Sequence, residues 1–163
     1  MYIGHFSFAL AIKGRRSRLP LGLCLIASMA PDFAAIVVNL ARSDLYSHSL
    51  VSVAVLALAG AVLTWTYLRD AADSFWVGAL VVSHLPADWL TSRLALWPGG
   101  PVWGAELYAR PAVDFVLESV LAVFGWVIYR RGLPEAAAGR PLAWAPLGVL
   151  LALQGGWNIV SSR

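Results

Sequence analysis

The feature that most constrains this chain is a succession of apolar runs, each close to the length that crosses a bilayer. They extend from about Leu19 to Ala41, Leu50 to Leu68, Ser74 to Trp97, Val113 to Tyr129 and Leu142 to Val160. About 20 apolar residues make one transmembrane helix. The whole chain agrees with the runs. Hydrophobic residues make up 60% and charged residues 13% of its 163 residues, against about 25% charged in a soluble domain. Such a composition leaves too little polar material for a soluble surface. The expectation is an all-α protein: a polytopic transmembrane helix bundle of about five spans, forming a single domain over residues 1–163. Residues 2–12 add a short N-terminal helix, too short to span, that enters partway and packs on the others.

The breaks between runs have ordinary turn chemistry. Pro98-Gly99-Gly100-Pro101 ends the third run, Arg110-Pro111 precedes the fourth, and Arg131-Gly132-Leu133-Pro134 follows it. Trp97, Trp103, Tyr108, Tyr129 and Trp144 lie near run ends, as an interfacial aromatic belt requires. The net charge of +3 is gathered into clusters between runs and does not cover one face, which argues against nucleic acid as a partner. Lys13, Arg15, Arg16 and Arg18 precede the first long run; Arg130, Arg131 and Arg140 lie between the fourth and fifth. Five alternating spans put both clusters on one side, which the positive-inside rule makes cytoplasmic. Arg42, Arg93, Arg110 and Arg163 fall on the other side. The first run precedes its basic cluster, so it does not read as a signal peptide, and the mature chain is expected to start near Met1. Cys24 is the only cysteine, which excludes a disulfide within the chain and reads as packing.

Against this apolar background stand His5, His48, His84, Asp32, Asp88, Asp114 and Glu118, all in or beside apolar runs. An ionisable group at the bilayer centre costs about 2.5–3.5 kcal/mol even on insertion scales. This many need a compensating partner, and a divalent cation is a natural one, since it neutralises carboxylates and takes neutral imidazole as a ligand. His84 and Asp88 stand four apart in His-Leu-Pro-Ala-Asp, on one helical face, and Asp114 and Glu118 repeat that spacing. Pro86 between the first pair is expected to bend or loosen the helix. With alternating spans, all these residues fall in the non-cytoplasmic half of the membrane, and His5 joins them if residues 2–12 enter from that side. Taken singly, the groups have plainer readings. His5 reads as a surface residue near a terminus, His48 as an interfacial residue, and Asp114 as a first-turn acid of its helix. His84 with Asp88 reads as a hydrogen-bonded pair, and Arg110 as a belt residue reaching for headgroups. Asp44, Asp70, Asp73, Glu106 and Glu135 read as solvated loop charges, and Gln154 and Asn158 as interhelical hydrogen-bonding groups.

The ordered pattern Gly4-His5, Ala30-Pro31-Asp32-Phe33, Tyr46-Ser47-His48-Ser49 and Ser83-His84-Leu85-Pro86-Ala87-Asp88-Trp89-Leu90-Thr91, followed by Trp97-Pro98-Gly99-Gly100, resembles the bacterial inner-membrane metal-dependent hydrolases of the YdjM type. Its ligand order is also similar to that of zinc-dependent phospholipase C and related nucleases. The resemblance implies a zinc site made by Asp32, His48, His84 and Asp88, with His5 and Asp88 helping a second ion. It also implies roughly one to three divalent ions in all. The phospholipases carry a further His-x-x-x-Glu pair where this chain offers Asp114 and Glu118, and the arginine often found near the second histidine of the family is missing from Tyr46-Ser47-His48.

The activity implied is membrane-embedded, metal-dependent hydrolysis of a phosphoester or lipid-like substrate by activated water, on the non-cytoplasmic side of the bacterial inner membrane. In that scheme Glu118 or Asp114 takes the water proton and Arg110 holds a phosphate. The same residues allow two other functions: a cation- or proton-translocating protein, which needs polar groups continuing to the cytoplasmic half, and a scaffold with a closed structural metal site.

Overall fold

A computed structural model describes residues 3–16, 18–40 and 46–161. Tyr2, Ala41, Arg42, Asp44 and Arg163 lie outside the described residues. The protein is all-α apart from one small hairpin. Helix α1 (Gly4–Arg15) is followed by α2 (Leu21–Ser28) and α3 (Ala30–Leu40). The expected first span is thus broken, with a bend of 57° between its halves. Pro31 accounts for the break: it has no N–H for the Ala27 carbonyl, so the helical ladder cannot run through, whereas a proline is well accommodated in the first turn of a new helix.

Helix α4 (Leu50–Leu68) starts at Ser49, whose hydroxyl accepts the Ser52 N–H at 3.1 Å. It ends at Arg69 in the left-handed conformation. Helix α5 (Ala71–Thr91) starts at Asp70, which accepts the Asp73 N–H at 2.9 Å. It continues through Pro86 but stops six residues short of the expected Trp97. Leu94–Ala95 turns back to pair with Val102–Trp103 in an antiparallel hairpin, and the Leu96 carbonyl accepts the N–H of Leu50 at 2.9 Å. Gly104, at φ 152°, lies so close to the Ser92 carbonyl that a β-carbon would overlap it. Helix α6 (Pro111–Arg131) opens on its proline. A short α7 (Glu135–Ala138), a 3-10 turn over Pro141–Trp144 and α8 (Ala145–Ser161) complete the chain.

Among the described residues, three segments can cross a membrane by length and composition: Leu50–Leu68, Pro111–Arg131 and Pro141–Val160; the bent α2–α3 pair makes a fourth if it is one broken span. Val51, Val55, Leu58, Leu63, Val116, Val120 and Phe124 all point outward. Apolar side chains directed away from the protein's own core are what a lipid-facing surface requires. Helix α5 has the required length, but it is the inner helix. Its buried face carries Asp73, His84 and Asp88 alongside Val77, Leu80, Val81 and Leu85.

Helix α1 lies at the centre. It runs parallel to α6: Glu118 meets Ile3 and Gly4, Gly125 meets the Ser7 backbone, and Gly132 meets Gly14. The glycines on α6 stand two turns apart, so one stripe free of side chains lets the two backbones touch. Against α5 the same helix is antiparallel, with His5 beside Asp88 at one end and Arg16 beside Asp73 and Asp70 at the other. Asp73 is therefore not a solvated loop charge: it is 1% exposed and takes the Arg16 Nε–H at 2.7 Å. His5 is likewise not a surface residue, being fully buried.

Candidate metal centre

Four donors converge where α3, α4 and α5 meet. Asp32 stands in the first turn of α3, brought there by the break at Met29. His48 stands just before the cap of α4. His84 and Asp88 project from one face of α5, four residues apart. One ligand atom of each lies within 4.8 Å of all the others, so Asp32, His48, His84 and Asp88 form a group that can hold a metal ion.

The separations are tight. His48 Nε2 lies 3.2 Å from Asp32 Oδ1 and 3.4 Å from Asp88 Oδ2. His84 Nε2 lies 3.4 Å from Asp32 Oδ1 and 3.1 Å from Asp88 Oδ2. The two imidazole Nε2 atoms are 3.3 Å apart. For His84 the outer nitrogen settles the tautomer. His84 Nδ1 lies 2.8 Å from the Ser28 carbonyl, which can only accept, so Nδ1 carries the proton and Nε2 of the neutral ring is a bare donor atom. His48 Nδ1 lies 2.9 Å from the Ser47 hydroxyl. Hydrogen bonding of the outer ring nitrogen is how metal-binding imidazoles are oriented.

A second layer stands behind Asp88. Its Oδ1, facing away from the group, lies 3.0 Å from His5 Nε2. The His5 ring stacks on His84 at 3.9 Å between centroids and 7° between planes. His5 Nδ1 is buried and has no hydrogen-bond partner among the described residues. His5 is in turn positioned by Glu118, whose Oε2 accepts the N–H groups of Ile3 at 2.6 Å and Gly4 at 3.1 Å. Those amides belong to the unsatisfied first turn of α1, and a carboxylate there also answers the positive end of the helix dipole.

Asp114 is buried and accepts the Gln154 amide at 3.0 Å, while Asn158 donates to the Pro111 carbonyl at 2.6 Å. Together these two bonds tie α8 to the start of α6. Arg110 is exposed at the N-terminus of α6. Neither Asp114 nor Glu118 belongs to the four-donor group. Sequence reasoning missed the Ser28 carbonyl, the Ser47 hydroxyl and the Arg16–Asp73 tie. The first is a backbone atom, which carries no residue signature, and the other two looked like parts of polar loops.

The four donors differ in exposure: the side chain of Asp32 is 38% exposed and that of His48 15%, while that of His84 is fully buried. The group is thus approached from the α3 side and closed on the α5 side. No family model, curated protein or solved structure matches this chain.

Proposed function

We propose that this is a membrane-embedded, metal-dependent hydrolase of a phosphoester or lipid-like substrate. The observation that carries the reading is the convergence of two imidazole nitrogens and two carboxylates, from separate elements, around one point that is open on the Asp32 side. Zinc suits the donor set. Imidazole nitrogen and carboxylate oxygen are both ligands that zinc takes. Five of the six donor–donor separations run from 3.1 to 3.4 Å, and all lie within 4.8 Å.

A divalent ion held by these residues supplies Lewis acidity and lowers the pKa of a bound water toward about 7. The chain's own residues do the rest. His84 and Asp88 hold the buried side rigid through Ser28 and His5. Asp32, the most exposed carboxylate of the group, is placed to accept a proton on the open side. Glu118 acts as a positioning residue through α1. Arg110, exposed at the mouth of α6, is free to meet a phosphate. The motif resemblance to the inner-membrane hydrolases of the YdjM type and to zinc-dependent phospholipase C supports the same reading. So does the loop charge, which puts the site on the non-cytoplasmic side of about five spans, with α5 as one of them.

A structural metal is the second reading, favoured by the presence of four protein donors where catalytic zinc sites commonly have three plus water. The test is metal analysis of the detergent-purified protein, followed by release of phosphorylated headgroup from mixed phospholipid micelles. Stoichiometric zinc, lost in His84→Ala and Asp88→Ala, with chelator-sensitive hydrolysis, supports the hydrolase. Full metal loading without hydrolysis transfers the site to the structural reading. A wild-type protein that binds no divalent metal ends both.

A further inference from the structure

At the opposite end of α5 from the metal centre lies a second polar site. Asp73 and His84 are eleven residues apart, about 16–17 Å along a helix. Arg15, Arg16, Arg18, Asp70 and Asp73 enclose a cavity of about 260 Å³. Its floor is Asp73, 1% exposed. Arg16 bonds Asp73 Oδ1 through Nε at 2.7 Å and Asp70 Oδ1 through Nη2 at 3.2 Å. The other oxygen, Asp73 Oδ2, is buried and has no hydrogen-bond partner among the described residues. A buried carboxylate oxygen left without a partner is costly, so a donor is expected there. The rim has the opposite need: Arg15 and Arg18 are exposed and make no ion pair among the described residues. The Asp73 amide and the Arg16 guanidinium hold the Asp70 carboxyl below the usual range.

An apolar groove of about 400 Å³ begins one turn deeper. Pro20, Leu68 and Val77 line it, and these stand two, two and four residues from Arg18, Asp70 and Asp73. It continues along Leu23, Leu56 and Val81 between α2, α4 and α5. Cations at the rim, an acidic floor and an apolar channel behind it describe one amphiphile.

We propose that this end of the protein binds a glycerophospholipid whose headgroup carries both a phosphate and a primary ammonium, of the phosphatidylethanolamine type. The phosphate meets Arg15 and Arg18, the ammonium meets Asp73 and Asp70, and one acyl chain lies in the groove. A quaternary choline has no N–H to offer Asp73. A purely anionic headgroup meets two carboxylates. The inference is independent of the reaction at the metal centre.

The test is native mass spectrometry of the delipidated, full-length protein. Phosphatidylethanolamine, its mono- and dimethylated forms, phosphatidylcholine and phosphatidylglycerol are added at equal mole fraction. Retention should be highest for the primary amine and fall stepwise, about tenfold in all, as methyls replace N–H groups. Arg15→Gln with Arg18→Gln should weaken retention of every member of the series, while metal content stays at the wild-type value. Asp73→Asn should remove the preference among amines. If that variant does not fold, the methylation series on the wild-type protein decides alone. Equal retention of ethanolamine and choline lipids, or stronger retention of phosphatidylglycerol, overturns the proposal.

Discussion

Three of the four donors of the candidate metal centre are held by a neighbour that does not itself face the centre, and that arrangement makes separable predictions for single side chains. His84 leans on a backbone carbonyl, His48 on Ser47, and Asp88 on His5. Removing a supporting group should loosen a ligand without deleting it. If the four donors hold a divalent metal, we expect His5→Ala to weaken its affinity about 10–100-fold, the range seen when second-layer partners of metal ligands are removed, with the metal still stoichiometric at saturation. Glu118→Ala should act in the same direction by releasing the Ile3 and Gly4 amides. Competition with a chelator of known affinity measures both. Metal abolished outright in His5→Ala would make His5 a direct ligand.

Between helices, the contact that matters most is α1 on α6, because α1 delivers His5 to Asp88. Gly125 lies so near the Ser7 carbonyl that a β-carbon would overlap backbone, which cannot move aside as a side-chain end can. Gly125→Ala should therefore push α1 away from α6 at a cost of about 1–3 kcal/mol and carry His5 with it. The expected result is a lower thermal midpoint together with weaker metal binding. Gly148→Ala, where a β-carbon meets nothing within 4 Å, is the matched control and should change neither. The far end of the same helix is fastened by Arg16 to Asp70 and Asp73, so α1 is pinned at both ends. The second clasp between neighbouring elements is aromatic. Trp126 donates to the Ala143 carbonyl at 2.8 Å, and Arg130 lies 5.5 Å from the Trp126 ring and 5.0 Å from that of Trp144.

For the whole molecule, the inner helix α5 sets the polarity. Its first turn holds the arginine cavity and its last two turns hold the metal centre, so the two polar sites sit at opposite ends. If α4, α6 and α8 cross a bilayer, these ends face opposite sides of it. Single cysteines report this once Cys24, which is buried, is replaced by alanine. Val102→Cys, in the hairpin on the metal side, should react with a membrane-impermeant thiol reagent in intact cells. Glu135→Cys, beside Arg130 and Arg131, should react only after lysis. The reverse pattern would invert the orientation read from the loop charges.

The sequence by itself determined the helical class, because an apolar run of bilayer length can satisfy its own backbone hydrogen bonds in lipid by forming a helix. It also singled out His5, Asp32, His48, His84, Asp88, Asp114 and Glu118, since charged and imidazole side chains stand out in such runs; which four of them converge came from the motif resemblance and not from the runs. The i, i+4 pairing on α5 followed from helical periodicity alone. What it did not determine was the path of the backbone between those residues. The 57° break before Pro31 and the hairpin that ends α5 at Thr91 depend on which packing accommodates the proline and the glycines. Nor did it assign Glu118 and Asp73, whose partners lie 115 and 57 residues away. Such roles exist only once α1 is laid between α5 and α6. Hydropathy is a property of each residue, whereas a carboxylate's role is set by the neighbour that the fold brings to it.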